Sequence, residues 1–279
     1  MTGTRLFRWV GSKQHLVPRL VPMIRGQLAA GGGRLVSLFY GSGALEQAAA
    51  PGESQVAAEA NADLLCVYEQ VARDPEKLFH ALEQLEASVG RSRAAFLAVR
   101  TLDPEDLAST ARAARFLWLS AMSFNGLWRV NRAGRHNVPA DPARLQKPWP
   151  FATREALMAA SASIQRVRFR TDWREAAESA RPGDVIISDP PYVGGFDAYT
   201  AQRFGTAEHH ALSTVLADLV RKGCAVIAFN SPQARPLYAY WARVQDTTRS
   251  GRISSDGSGR QRVRELIAFA GLRSFRRAA

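Results

Sequence analysis

A carboxylate and an aromatic ring, separated by two prolines, follow a short apolar run in this chain of 279 residues. The segment is Asp189-Pro190-Pro191-Tyr192, and the run is 185–187. Because proline fixes φ and lacks an N–H, the turn is stiff and its carbonyls remain free to accept hydrogen bonds. Asp189 and the Pro190 carbonyl can accept from one amino group while Tyr192 stacks on the ring that bears it. The segment predicts a clamp for a planar, amino-bearing base, with an ordinary Asp-Pro turn after a buried strand as the alternative.

A glycine turn and an acid supply a second candidate site. Phe39 ends an apolar run at 35–39, Gly41 and Gly43 follow it, and glycine lets the backbone approach a ligand closely. Glu59 ends the next run, where its carboxylate can accept from both ribose hydroxyls. The two together favour a nucleoside site, with a tight structural turn and a solvated or helix-capping Glu59 as the alternatives.

The elements that must position these residues follow the rhythm of a parallel, helix-covered sheet. An amphipathic helix beginning near Thr206 leads into a fifth strand, and ligands of such sheets bind beyond the carboxyl ends of the strands. A final strand is predicted at 263–270, paired in a hairpin with the stretch near Val244. The first five strands are predicted at 35–39, 55–59, 167–170, 185–188 and 225–229.

A long excursion separates the second strand from the third, and no simple crossover needs so much chain. It carries helical patterns at 74–88, 91–100 and 108–122. We therefore expect an inserted helical domain at 64–160, within a discontinuous domain formed by 1–63 and 161–279.

Composition narrows the class of partner. The net charge of +12 is typical of proteins that bind polyanions, although a rich arginine content can also reflect a GC-rich genome. Cys66 and Cys224 lie far apart in apolar surroundings, so we expect no disulfide, no thiolate metal site and a reducing, cytoplasmic setting. No apolar stretch reaches the length of a membrane span, so no membrane partner is expected.

Several short sequence blocks resemble the conserved blocks of one protein family, and they occur in the same order along the chain. Phe-x-Gly-x-Gly and Asp-Pro-Pro-Tyr make the chain look like an S-adenosylmethionine-dependent amino-methyltransferase. Arg8-Trp9-Val10-Gly11-Ser12-Lys13 resembles the N-terminal box of the Dam-like adenine-N6 DNA methyltransferases. The stretch 124–131, Phe-Asn-Gly-Leu-Trp-Arg-Val-Asn, and Asn137-Val138-Pro139 are similar to that family's central segment, and 252–266 looks like its last loop and strand.

The resemblance implies a Rossmann-like α/β sheet, S-adenosylmethionine as cofactor and bacterial or phage origin. It implies a catalytic set of Asp189, Pro190, Pro191 and Tyr192, which would hold an adenine flipped out of duplex DNA. The cofactor residues that the resemblance implies are Trp9, Gly11, Lys13, Phe39, Gly41, Gly43, Glu59, Asp172 and Asp189. For Lys13 the alternative is a contact with DNA.

The implied DNA surface lies in the central block and the last loop. No acidic residue occurs from Leu107 to Ala140, while arginine and asparagine alternate there, as in surfaces that follow phosphates and read bases. Arg112 and Arg115 fit this surface or a merely solvated helix face equally well, and Phe124 is expected in the core of the insert. The DNA-binding residues are Asn125, Arg129, Asn131, Arg132, Asn137, Arg252 and Arg260.

One departure from the family pattern concerns the methionine end of the cofactor. Ser37 stands where the family usually has an acid just before Pro-Phe, so the group that would hold the ammonium is missing from that position. An inactive DNA-binding relative, a cytosine-N4 methyltransferase and an RNA adenine methyltransferase are the competing functions.

Overall fold

The computed structural model describes residues 6–147, 152–195, 197–250 and 262–272. Its seven strands form one sheet, and the bounds of the first five lie within two residues of those predicted. The strands are β1 Leu35–Ser37, β2 Gln55–Ala58, β3 Val167–Arg170, β4 Val185–Ser188, β5 Ala225–Asn230, β6 Arg243–Ser250 and β7 Arg262–Ala270. Their order across the sheet is β3-β2-β1-β4-β5-β7-β6.

The first five strands pair in parallel, and β7 pairs antiparallel with both β5 and β6. The predicted hairpin with the stretch near Val244 is confirmed, since β6 and β7 pair along their length. This is the Rossmann-like α/β sheet that the resemblance implied. Since parallel strands end at the same edge, the segments after β1, β2 and β4 meet there.

Eleven α-helices occur within the described residues, and the helices predicted at 74–88, 91–100 and 108–122 are confirmed as α4, α5 and α6. The helices are α1 Val17–Gly31, α2 Ala44–Ala49, α3 Ala62–Arg73, α4 Pro75–Val89, α5 Arg93–Thr101, α6 Ser109–Met122, α7 Pro142–Gln146, α8 Arg154–Ile164, α9 Trp173–Glu178, α10 Thr206–Arg221 and α11 Arg235–Tyr238. Single 3₁₀ turns occur at Lys13–Leu16, Pro104–Asp106, Phe124–Gly126 and Pro232–Ala234.

The sheet is covered on both faces because its strands alternate between two apolar cores. Leu35 and Val185 pack with α1 and α2, while their neighbours Val36 and Ile186 pack with α9 and α10. This period of two places an apolar residue on each face, as expected for a strand buried on both sides.

The excursion of α3 to α8 has no separate core in the described residues. One apolar cluster joins Ala57 of β2 and Tyr40 to Phe116 and Trp128 of the excursion. Local signals begin its helices: the Asn61 side chain caps α3 by accepting from the amides of Asp63 and Leu64. The division into a 64–160 insert and a discontinuous catalytic domain stays a prediction.

In the part of the chain that the structure describes, every helix is too short or too polar to cross a bilayer.

Candidate active site

A cavity of about 800 Å³ opens where β1, β2 and β4 end. All four predicted catalytic residues line it, as do eight of the nine predicted cofactor residues. Gly43 lies outside the lining; its φ of +61° begins α2, and a Cβ there would lie 2.5 Å from the Tyr40 ring. Gly43 therefore shapes the turn without lining the cavity.

Lys13 and Asp189 form an ion pair at the floor of this cavity. The Lys13 Nζ lies 2.6 Å from Asp189 Oδ2 and donates to the Gly11 carbonyl at 2.6 Å. Lys13 is only 5% exposed although it is a lysine, and its ammonium lies 5.2 Å from the centre of the Tyr192 ring. Lys13 therefore lies inside the cavity, against two of the predicted catalytic side chains.

The second oxygen of Asp189 is buried, and Oδ1 has no hydrogen-bond partner in the structure. Burial raises the pKa of Asp189, and the neighbouring Lys13 charge opposes that rise. A buried acceptor without a donor costs free energy, on the order of 1–3 kcal/mol. The geometry of Asp189 is thus that of an acceptor which a ligand N–H would satisfy.

Two neighbouring strands hold the segment after Asp189 in place. Tyr192 donates its hydroxyl hydrogen to Glu265 Oε1 of β7 at 3.3 Å, and Glu265 is fully buried. The Asn230 side chain, at the end of β5, accepts from the Val193 amide at 2.9 Å. The turn is therefore anchored at the Tyr192 hydroxyl and at the amide of the next residue, which orients the Tyr192 ring.

The glycine turn after β1 is bonded to Glu59. One carboxylate oxygen of Glu59 accepts from the Gly41 amide at 2.9 Å and the other accepts from the Asn61 amide at 2.8 Å. Burial raises the pKa of Glu59 to about 7. Gly41 has a φ of +50°, and a Cβ there would lie 2.8 Å from Trp9 Nε1. Only glycine lets the Trp9 indole approach the turn so closely.

Aromatic rings form the walls. Trp9 stacks on Tyr199, with ring centres 5.3 Å apart, and Phe39 stacks on Trp173 at 6.2 Å. Asp172, which also lines the cavity, accepts from the Arg174 amide at 2.8 Å and caps α9. Flat apolar walls with a few polar groups are typical of small-ligand sites.

Ser37 and Glu46 form a buried pair next to the ion pair. The Ser37 hydroxyl donates to Glu46 Oε1 at 2.7 Å, and Glu46 lines the cavity although it is 4% exposed. Burial raises the pKa of Glu46 to about 7; among the charges that act on it, Asp189 raises the pKa and Lys13 lowers it.

The predicted DNA residues of the central block lie in the segment 123–140, a hairpin with bridges between Ser123 and Ala140 and between Val130 and His136. The exposed Arg129 donates to Asn137 Oδ1 at 2.7 Å, across the hairpin. The amide of Val130, in the same hairpin, donates to the Ala198 carbonyl at 3.0 Å. The hairpin is thereby joined to the segment that follows Tyr192.

The other predicted DNA residues of this hairpin differ in their roles. Asn125 has a left-handed φ of +54° in the 3₁₀ turn Phe124–Gly126. Asn131 Oδ1 accepts from the amides of Ala133 and Arg135 and so closes the turn that Arg132 shares, and Arg132 is exposed. Arg252 and Arg260 lie outside the described residues.

Three expectations about this region are decided by burial. Phe124 is 44% exposed, so its expected place in the core is wrong, while Trp128 is 2% exposed and lies in the core. Arg115 is 2% exposed and donates to the carbonyls of Val99 and Arg100 at the end of α5. Arg112 Nε donates to Asp63 at 2.6 Å. Both arginines are occupied by internal partners, and neither lies on an open helix face.

Comparison with known proteins bears on this arrangement. A family model described as D12 class N6 adenine-specific DNA methyltransferase matches residues 9–251, a range that contains the glycine turn, Glu59, the 123–140 hairpin and Asp189 to Tyr192. The chain belongs to this family. It is therefore an enzyme that methylates the N6 amine of adenine in DNA.

Individual proteins that are similar to this chain carry the names of DNA methyltransferases. The chain is 27% identical over 276 residues to the type II methyltransferase M1.LlaDCHI of Lactococcus lactis subsp. cremoris, covering 93% of each chain. It is 25% identical over 272 residues to a DNA adenine methylase of Vibrio cholerae, covering 94% of each. It is 31% identical over 242 residues to the DNA N-6-adenine-methyltransferase of Escherichia phage P1, covering 84% of this chain and 31% of that longer protein.

Sequence reasoning missed three residues of the site. Asn230 and Glu265 lie on strands that pair with each other, and each supports the turn after Asp189 from a distance in the chain. Glu46 had a visible signal, because it is the only charged residue of α2. Among the described residues, no group of three or more His, Cys, Asp or Glu side chains could hold a metal ion.

Proposed function

We propose that this methyltransferase uses S-adenosylmethionine to methylate an adenine flipped out of duplex DNA. The observation that carries the proposal is Asp189, whose Oδ2 is held by Lys13 while Oδ1 is buried and unpartnered. A pocket floor with one satisfied and one open carboxylate oxygen suits an amino group. The adjacent Tyr192 ring offers the stacking surface that a flipped base needs.

The residues present fit this cofactor. The cavity volume of about 800 Å³ is at the upper end for small-ligand sites, which leaves room for a nucleoside and a base together. Gly41 provides close backbone approach, Glu59 carries a carboxylate for ribose hydroxyls, and the walls of Trp9 and Phe39 suit a flat ring. When bound, S-adenosylmethionine supplies an electrophilic methyl group on its sulfonium.

The protein's part in catalysis is to position and polarise the amine. The N6 lone pair is delocalised into the adenine ring, which makes the nitrogen a poor nucleophile. Asp189 Oδ1 and the Pro190 carbonyl accept its two hydrogens and favour a pyramidal nitrogen with a localised lone pair. Lys13 opposes the effect of burial on Asp189 and so favours the carboxylate that must accept.

The DNA is proposed to lie across the hairpin. Arg129, Asn137 and Arg132 lie in a segment bonded to the one that follows Tyr192, so a phosphate backbone held there would bring a base to the cavity mouth. Flipping costs a few kcal/mol, which stacking on Tyr192 partly offsets. The 64–160 segment would then serve as the target-recognition insert, and Arg252 and Arg260 would add phosphate contacts.

Methyl transfer from labelled S-adenosylmethionine to duplex DNA, single-stranded DNA and structured RNA tests the proposal. We expect N6-methyladenine in duplex DNA, a loss of at least about 100-fold in rate for Asp189→Ala, and retained binding of S-adenosylhomocysteine. Asp218→Ala, on the exposed side of α10, is the matched control and should behave as wild type.

Three results would count against the proposal. Transfer to cytosine would refute the adenine clamp, and preference for structured RNA would refute the duplex substrate. Tight DNA binding by the wild-type protein with no transfer to any substrate would refute methyl transfer, and undiminished transfer by Asp189→Ala would refute the role given to Asp189.

A further inference from the structure

The cavity floor carries more buried acid than base. Lys13 pairs directly with Asp189 at 2.6 Å, while Glu46, which is 4% exposed, lines the same cavity. The buried carboxylate of Glu46 therefore lies in a cavity where the buried ammonium of Lys13 is already paired with Asp189. Burying a carboxylate without a cation costs free energy, and this cost is relieved by protonation to the neutral acid or by a positively charged partner.

Ser37 and Glu46 complement each other in position and chemistry. Ser37 ends β1, where the family usually has an acid, and a hydroxyl there cannot neutralise a cation. Its hydroxyl instead donates to Glu46 Oε1 at 2.7 Å, which holds a carboxylate from the first turn of α2 beside the same strand end. The acid is thus present near the usual place, but it comes from the helix that follows the glycine turn.

Glu59 and Glu46 both line the cavity, and they belong to different strand ends. Glu59, the candidate ribose acceptor, is bonded to Gly41 on one side of the turn. Glu46 lines the same cavity and is bonded to Ser37, whose register partner Ile187 on β4 lies two residues before Asp189, the group beside which methyl transfer would occur. A ligand that runs from Glu59 towards Asp189 brings its amino-acid end, and not its base, to Glu46.

We infer that Glu46, held by Ser37, binds the α-ammonium of the methyl donor's amino-acid part, in place of the acid missing at the end of β1. This inference rests on the proposed use of S-adenosylmethionine. It makes Glu46 a cofactor-binding residue and gives Ser37 the task of positioning it.

Calorimetric binding of two nucleosides tests the inference. S-adenosylhomocysteine carries the ammonium, whereas 5′-methylthioadenosine lacks the whole amino-acid part. We expect Glu46→Gln, which keeps the shape and the acceptor for Ser37, to weaken binding of S-adenosylhomocysteine by about 10- to 100-fold. Binding of 5′-methylthioadenosine should change less than about twofold, because it makes no use of the carboxylate.

A double variant and a surface control sharpen the result. Ser37→Asp combined with Glu46→Gln restores the acid at the strand end and should recover at least about tenfold of the lost affinity. Glu53→Gln removes an equal charge from an exposed position and should bind both nucleosides as wild type does. Thermal unfolding of each variant establishes that it is folded.

The outcomes separate the inference from the function on which it rests. Equal weakening of both nucleosides by Glu46→Gln, or no weakening of either, would overturn the role of Glu46 while the cofactor remains established by wild-type binding. If the wild-type protein binds neither nucleoside, the proposed cofactor itself is refuted, and the inference with it.

Discussion

Glu46 makes the free energy of unfolding depend on pH in a way that one substitution should remove. Burial raises the pKa of Glu46 in the folded protein from 4.5 to about 7. Between these values the folded state holds a proton that the unfolded state has released. Stability is therefore fully present below the unfolded pKa and is lost as pH rises through the folded one.

The magnitude follows from linkage. One proton held only by the folded state changes the free energy of unfolding by about 1.4 kcal/mol per pH unit. Over the interval from 4.5 to about 7 this amounts to about 3 kcal/mol for Glu46. Glu59, whose pKa burial also raises to about 7, adds a second contribution of the same sign.

Glu46→Gln removes the titrating group and keeps an acceptor for the Ser37 hydroxyl. Denaturant unfolding of the ligand-free protein, measured between about pH 5 and pH 6.5, should show a slope that is shallower by about 1.4 kcal/mol per pH unit in the variant. The variant should also be more stable than wild type above about pH 7, by up to about 3 kcal/mol.

Other titrating groups cancel in this comparison. His136 is buried, which lowers its pKa to about 3, so it contributes a slope of the opposite sign in both proteins. Glu53→Gln is the matched control, because it removes an exposed carboxylate. Identical slopes for wild type and Glu46→Gln would refute the reasoning, since they would mean that Glu46 is ionised in the folded protein over this range.

Further predictions concern the arginines and the glycine turn. Arg129→Ala should weaken DNA binding and lower its salt slope by about 0.9, as measured by titration at several salt concentrations. Arg115→Met should leave that slope unchanged and lower the free energy of unfolding by about 2–4 kcal/mol, because two helix-end carbonyls lose their donor; a changed salt slope would contradict this. Gly41→Ala should weaken nucleoside binding about tenfold, because its Cβ would lie 2.8 Å from Trp9 Nε1. Gly32→Ala, with a similar φ of +65° and no atom within 4 Å of its Cβ, separates backbone strain from this clash and should bind as wild type.

Local patterns were sufficient for the sheet and for the outline of the site. The strands are short apolar runs followed by turn residues. Such runs can be recognised from residues that are neighbours in the sequence. Parallel strands share one edge, so Asp189, Glu59 and the glycine turn could be expected to meet there before any contact was known. These inferences needed no knowledge of which distant residues touch.

The partners of these residues required the tertiary structure. Lys13 and Asp189 are 176 positions apart, and nothing local indicates that the lysine is buried against that carboxylate. Arg115 and Phe124 exchange the roles that their types suggest, since the arginine is buried on helix-end carbonyls and the phenylalanine is exposed.

Ser37 shows the same division most clearly. In the sequence alone, Ser37 marks a missing acid, because a sequence pattern gives only the type of residue at each position. In the folded chain its hydroxyl lies 2.7 Å from Glu46, nine residues later, and the turn between them brings the carboxylate back to the strand end. The sequence determined which chemical groups exist and roughly at which edge of the sheet they meet. Burial and pairing, which depend on the packing of the whole chain, decided which of them are charged, satisfied or open to a ligand.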